Sequence, residues 1–156
     1  MLYFKVLRWK NFLSTGNSFN EIYLDKYDNT LVSGENGAGK STMLDALTFV
    51  LYGKSFRGIN VGSMVNSVNN KDSIVEIEFR VNNHDYKVVR GQKPKKFEIW
   101  KDGEMINQDA KVKDYQEVLE DQILRMGYKS FCQVVILGSS NYVPFMRLPA
   151  KDRKVI

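Results

Sequence analysis

Thr30-Leu31-Val32-Ser33-Gly34-Glu35-Asn36-Gly37-Ala38-Gly39-Lys40-Ser41-Thr42 passes from β-prone residues through three glycines to a Lys-Ser-Thr triplet. Gly34 and Gly39 bracket four residues and Lys40-Ser41 follows, which satisfies the Walker A pattern for a phosphate-binding loop. The pattern is specific only between a strand and a helix. Residues 30–33 predict a short strand before it, and 43–52 predict a helix after it. Met43, Leu47 and Val50 fall at i, i+4 and i+7, with Leu44, Phe49 and Leu51 beside them. A helix apolar nearly all round is one buried between layers, and Gly53 stops it.

The chemistry requires these residue types. Glycines let the backbone fold tightly and turn several amide N–H groups inward as an anion nest. The helix beginning near Lys40 adds its positive end, typically ~0.3–1 kcal/mol for each well-placed negative charge. Lys40 brings a full charge to the β- and γ-phosphates, Ser41 offers a hydroxyl to magnesium, and Thr42 can bond the α-phosphate. Asn36, Gly37, Ala38, Gly39, Lys40, Ser41 and Thr42 are therefore the candidate residues for ATP, with Ser41 for its magnesium. A glycine-rich turn that precedes Lys-Ser by chance is the bland alternative, and the flanking elements argue against it. Phosphate binding alone does not choose among kinases, switches, motors and ATP-driven clamps. Hydrolysis further requires an apolar strand ending in Asp-Glu. The apolar runs here end in Ser33-Gly34 and Gly138-Ser139, so no catalytic residue is assigned.

Outward from the loop, 156 residues fit one domain, and 43% hydrophobic with 26% charged residues excludes intrinsic disorder. The longest apolar run, Val134-Val135-Ile136-Leu137, has four residues, far below the ~20 of a membrane span, and the N-terminus has no signal-peptide pattern. One cysteine, Cys132, and one histidine, His84, exclude an internal disulfide and a zinc cluster, so the chain reads as cytosolic. An excess of 23 Lys and Arg over 18 Asp and Glu favours polyanionic partners only mildly.

Residues 2–12 and 21–26 predict strands. Residues 73–81 alternate cleanly, with Val75, Ile77, Phe79 and Val81 opposite Glu76, Glu78 and Arg80. Strands at 86–90, 97–101 and 104–106, the last two joined at Asp102-Gly103, complete an antiparallel meander. Residues 111–126 predict an amphipathic helix stopped by Gly127, and 130–137 a buried strand feeding a polar loop. Pro149 opens a helix that 150–156 begin without finishing.

The order Lys10-Asn11-Phe12, Val32 to Leu47 through the phosphate loop, and Leu51-Tyr52-Gly53 resembles the amino-terminal half-head of SMC-like ABC ATPases of the SbcC type. Lys54-x-Phe56-Arg57, Asn66-Ser67, Arg90-Gly91-Gln92-Lys93-Pro94 and Leu137-Gly138-x-x-x-Tyr142-x-Pro144-Phe145-Met146 extend the likeness over the whole chain. It implies an α/β P-loop NTPase half-head, a mixed sheet around the phosphate-loop helix with an antiparallel β-meander. Residues 1–148 would be the amino-terminal ATP-binding lobe, and 149–156 the start of a coiled-coil helix. The implied partners are the carboxy-terminal half of the same ATPase with signature motif and Walker B, and a second head sharing two sandwiched ATP molecules. A metallophosphoesterase nuclease subunit and DNA complete the set, with no membrane. The function implied is ATP-driven head closure controlling the nuclease in DNA recombination and double-strand-break repair, for a phage protein in the host cytoplasm. Without Walker B and signature motif, the chain alone would be nearly inactive as an ATPase.

Two positions depart from the family. Many relatives carry arginine after Asn-Phe, where this chain has Leu13. The family glutamine that reaches magnesium falls by register at Ser139, whose hydroxyl would stand in for it; Gln133 reads as a strand residue.

Weaker signals have bland readings. Lys87, Arg90, Lys93, Lys95, Lys96 and Lys101 suit DNA backbone contact, yet Glu98, Asp102 and Glu104 interrupt them as on a solvated hairpin. Trp9, Tyr86 and Trp100 read as packing, Cys132 as a small core residue, and His84 as a turn residue. Two other classes stand beside the half-head. A small P-loop phosphotransferase would need a lid arginine cluster, and a non-catalytic nucleotide-gated binding module would dock partners itself.

Overall fold

The structure, a computed structural model, describes residues 1–106, 112–136 and 147–154. Six strands form one antiparallel sheet: β1 (Leu2–Lys10), β2 (Asn20–Tyr23), β3 (Ser73–Val81), β4 (His84–Gln92), β5 (Lys96–Lys101) and β6 (Glu104–Met105), in the order β2-β1-β3-β4-β5-β6. The alternation read in 73–81 is the reason for the layering. Val75, Ile77 and Phe79 face inward with Leu7, Val88 and Ile99, all fully buried. Glu76, Glu78 and Arg80 face out. Two-residue turns set the register: Val81 pairs with His84 across Asn82-Asn83, and Lys101 with Glu104 across Asp102-Gly103. Asn82, Asp102 and Gly103 have positive φ of 54°, 49° and 85°, which suits tight hairpins.

Helix α1 (Lys40–Tyr52) lies on the inner face, against β3 and β4. Every residue from 45 to 52 is buried, as the all-round apolar pattern requires. Phe49 meets Phe12 at 5.5 Å between ring centroids. Each such side chain contributes roughly 1.5–3 kcal/mol relative to exposure. Arg90 of β4 reaches under the helix end, its Nε donating to the Val50 carbonyl at 3.1 Å.

Helix α2 (Val112–Glu117) runs on through a wider π-helical turn at Val118–Leu124 and ends at Arg125, φ 53°. The extra residue per turn buries Ile123 and Leu124 side by side behind Leu119 and Tyr115. Helix α3 (Tyr128–Val134) follows, and α4 (Ala150–Arg153) opens after Pro149. No described helix is long and apolar enough to cross a membrane.

The structure corrects several expectations. All described pairings are antiparallel, so the sheet is not mixed there; β1 pairs directly with β3, which makes the meander continuous with the first strands. Residues 30–33 form no strand, and Leu31 is 91% exposed. A four-residue strand needs a hydrogen-bonded neighbour, and no described strand lies beside it. The second strand stops at Tyr23 instead of 26. The run at 130–137 is helical through Val134. Phe131 is buried and meets Tyr52 at 5.2 Å, whereas Val134 and Val135 are 57% and 39% exposed, a one-sided burial that a buried strand would not show. A short apolar run does not separate the two by periodicity. Gln133 is accordingly a helix residue.

Candidate phosphate-binding site

Gly37 and Gly39 adopt φ of 87° and 93°, a region in which a side chain is strained, so the loop turns where the sequence has no Cβ. The Ala38 amide donates to the Glu35 carbonyl at 3.1 Å and the Thr42 amide to the Gly39 carbonyl at 3.0 Å, closing the loop onto α1. Gly39 is the N-cap and offers no side chain, so the first amides of α1 have no side-chain acceptor. Amides without a side-chain cap at the positive end of a 13-residue helix are suited to an anion. The Lys40 ammonium is held over the loop, donating to the Gly34 carbonyl and, at 3.1 Å, to that of Glu35. The Ser41 side is exposed, whereas Thr42 is buried.

A cavity of about 340 Å³ opens here, lined by Asn36, Gly37, Gly39, Lys40, Ser41, Thr42, Leu13, Ser14 and Arg57. Six of the seven residues assigned from sequence line it, and Ala38 sits inside the loop. Its lining carries an ammonium and a guanidinium and no carboxylate. That donor set fits a polyphosphate. Among the described residues no group of three or more His, Cys, Asp or Glu forms a cation site of its own. Magnesium would therefore arrive with nucleotide oxygens, and the Ser41 hydroxyl is the ligand the motif offers it here. Ser139 lies outside the described residues.

The far wall was not assigned from sequence. Asp45, one turn into α1, is fully buried and accepts from Ser55 Oγ at 2.6 Å, Arg57 Nε at 2.6 Å and the Arg57 amide at 3.2 Å. The guanidinium is thereby anchored beside the loop while remaining 42% exposed. Leu13, at φ 52°, and Ser14 are held from the other side. The Leu13 amide donates to Met64 O at 2.6 Å, and Asn66 Nδ2 donates to the Leu13 and Thr15 carbonyls at 3.2 and 3.1 Å. One signal for this wall was present in the sequence. A carboxylate inside an apolar helix needs a buried partner, and Ser55 and Arg57 follow the helix closely.

Other sequence candidates stay away from the cavity. Lys87 pairs with Glu76 at 3.5 Å and Lys96 with Glu98 at 3.4 Å on the outer sheet face, and Arg90 turns inward. The outer face thus carries alternating charges in pairs, as on a solvated hairpin. Tyr86 stacks on Phe79 at 5.6 Å, and Trp100 donates to Glu98 at 3.1 Å. Trp9 is buried. His84 Nδ1 lies 2.7 Å from Asp102 Oδ2, and burial pushes the Cys132 thiol pKa up, away from nucleophilic use.

The AAA domain family matches residues 7–154. The chain is 44% identical over 148 residues to exonuclease subunit 2 of Enterobacteria phage T4, covering 95% of this chain and 26% of that protein. Identity to exonuclease subunit 2 of Escherichia phage RB69 is also 44%, with the same coverage. The DNA double-strand break repair Rad50 ATPase of Thermoplasma acidophilum is 36% identical over 124 residues, 76% of this chain and 13% of that protein. The chain spans about a quarter of the length of the phage relatives. Among solved structures, the Smc head domain with an extended coiled coil derived from Pyrococcus furiosus superposes with a TM-score of 0.58. It is 22% identical, covering 84% of this chain and 35% of that one, so the likeness is one of α/β fold.

Proposed function

Since the chain belongs to the AAA domain family, we propose that it is the amino-terminal ATP-binding half of an SMC-like, SbcC-type ATPase subunit in a DNA recombination and double-strand-break repair nuclease complex. Residues 1–148 are the ATP-binding lobe and 149–156 begin the coiled-coil helix. The single observation that carries the reading is the cation-lined, carboxylate-free cavity at the uncapped start of α1.

When bound, ATP supplies the triphosphate whose charge these groups read, with magnesium neutralising part of it. The loop and first-turn amides hold the phosphates without needing to reorganise, because Gly37 and Gly39 fix the turn beforehand. Lys40, which donates to two loop carbonyls, would give them up for phosphate oxygens. Ser41 would offer its hydroxyl to magnesium, and Arg57, braced by Asp45, would add a second cation from the far wall.

The partners in this reading are the carboxy-terminal half of the same subunit, a second head, a metallophosphoesterase nuclease subunit and DNA, all in the host cytoplasm. ATP-driven head closure would control the nuclease. Leu31, Val32, Val134 and Val135 support the first of these partners. They are exposed apolar residues beside the phosphate loop in sequence or at the end of α3, available for another lobe to cover.

Titration with a fluorescent ATP analogue tests the site. Replacing Lys40 with Met weakens binding about 100-fold, the upper range for a charge-assisted hydrogen bond, and leaves the circular dichroism spectrum unchanged. Equal affinity of the two chains would overturn the assignment.

A further inference from the structure

A second cavity, of about 850 Å³, lies at the opposite end of α1 from the phosphate loop, between the helix and the β4–β5 hairpin. Its walls include Phe49, Val61, Phe97 and Tyr115, and its charged lining is Arg90, Lys95, Lys96 and the Glu98 that pairs with Lys96. The size and the mostly apolar lining with a few polar groups are those of small-molecule sites.

Arg90 is the unusual component. Its Nε donates to the Val50 carbonyl at 3.1 Å, and Nη2 donates to Gln116 Oε1 at 2.6 Å and toward Leu51 O at 3.5 Å. The Phe97 ring lies 3.8 Å from the guanidinium carbon. No described carboxylate pairs with it directly; Glu120 is reached only through Gln116, whose Nε2 donates to Glu120 at 2.6 Å. Nη1 lies against Gly53, where an added Cβ would come within 3.1 Å, and the Arg90 hydrogen bonds among the described residues run through Nε and Nη2. Gly53 is thus constrained twice, by its φ of 66° and by the guanidinium beside it. Lys95 is exposed and makes no ion pair among the described residues. Burial lowers the Arg90 pKa to about 10, so the charge persists at neutral pH. The guanidinium is half-buried at the cavity wall, and its five donors exceed the acceptors it meets there.

We propose that this cavity is a second ligand site, separate from the phosphate loop, for a small organic anion: a carboxylate on Arg90 Nη1 and Lys95, carried by an apolar or aromatic body that packs against Phe49, Phe97 and Tyr115. The site does not depend on the nucleotide reading, since no residue lines both cavities.

Isothermal titration with 2-naphthoate, and with the neutral 2-naphthalenemethanol as control, tests it. The acid binds saturably with one site per chain, and the alcohol binds at least about tenfold more weakly because it lacks the charge-assisted bonds. Arg90→Gln abolishes the preference for the acid. Because Arg90 also holds the end of α1, Val61→Trp serves as a second variant that fills the cavity and leaves Arg90 in place. It removes naphthoate binding while the Lys40-dependent affinity for the ATP analogue is unchanged. Absence of saturable binding, equal affinity for acid and alcohol, or naphthoate binding that survives Val61→Trp would each overturn the proposal. Loss of the Lys40 effect with naphthoate binding intact would count against the nucleotide site alone.

Discussion

Asp45 and Arg57 form the pair on which the far wall of the phosphate cavity depends. The carboxylate is fully buried, and two of its bonds come from the arginine side chain and backbone amide. Truncating Arg57 to Ala leaves the Ser55 hydroxyl and one amide on a desolvated charge, and a lost hydrogen bond to a charged group costs roughly 1.5–3 kcal/mol. Arg57→Ala therefore lowers the urea midpoint by about that free energy without changing the slope of the transition. Arg57→Lys recovers only part, because an ammonium cannot reproduce the guanidinium fork that meets Asp45 through Nε and Nη2. A midpoint unchanged by either substitution would mean that Asp45 is satisfied without the side chain. The contrast with Lys40 shows what single residues disclose. The place of Lys40 at the cavity was legible because six neighbouring residues form a fixed local pattern. The role of Arg57 follows from a contact with a residue twelve positions earlier, and only the folded helix brings the two together.

At the scale of elements, the β3–β4 turn is tied by charge as well as by backbone. Asp85 accepts from Arg80 Nε and Nη2, both at 2.8 Å, and from Lys5 Nζ of β1 at 2.8 Å. The Arg80 guanidinium first, and the Lys5 ammonium second, hold the Asp85 carboxyl well below the usual carboxylate range. A carboxyl pKa depressed by folding contributes stability that is present above its unfolded value near 4 and is lost as pH falls toward the folded value. Asp85→Asn therefore has a lower Tm than the native chain at pH 7, and the two melting curves converge as pH is lowered below about 4. A Tm difference that stayed constant into acid would rule out the ion pairs as its source. The exposed setting keeps the effect small. This strand pair was legible because the period-two pattern and the short turns are local properties. Helix α3 was not: seven mostly apolar residues suit a strand or a helix equally, and its contacts with Tyr52 and Phe4 decided between them. Segment 30–33 erred in the opposite sense, since its β-branched composition is real but supplies no neighbouring strand.

At the scale of the whole molecule, the six-stranded sheet completes one face of α1, while the loop entering that helix stands apart. Residues 30–33 have strand-forming side chains, no regular structure and, at Leu31, 91% exposure. Unpaired backbone of this kind exchanges its amide hydrogens quickly, because nothing must open first. If the chain is the amino-terminal half of a larger head, the complementary half supplies the missing neighbour and the residues that hydrolysis requires. Both deficits should then be repaired by one binding event. Hydrogen exchange on the 156-residue chain alone is expected to show amides 31–33 unprotected and ATP turnover negligible. Adding the carboxy-terminal half in trans should slow those amides by at least about tenfold, equivalent to roughly 1.4 kcal/mol of local opening free energy, and bring turnover with it at the same saturation point. Protection without turnover would place a structural partner on the segment but leave the ATPase reading without support. Turnover by the 156 residues alone would show that the catalytic groups lie within this chain, contrary to the half-head assignment. The segment that the sheet leaves unpaired is thus the place where the larger assembly becomes measurable, since its protection reports the neighbour directly and does not depend on any property of the phosphate loop itself.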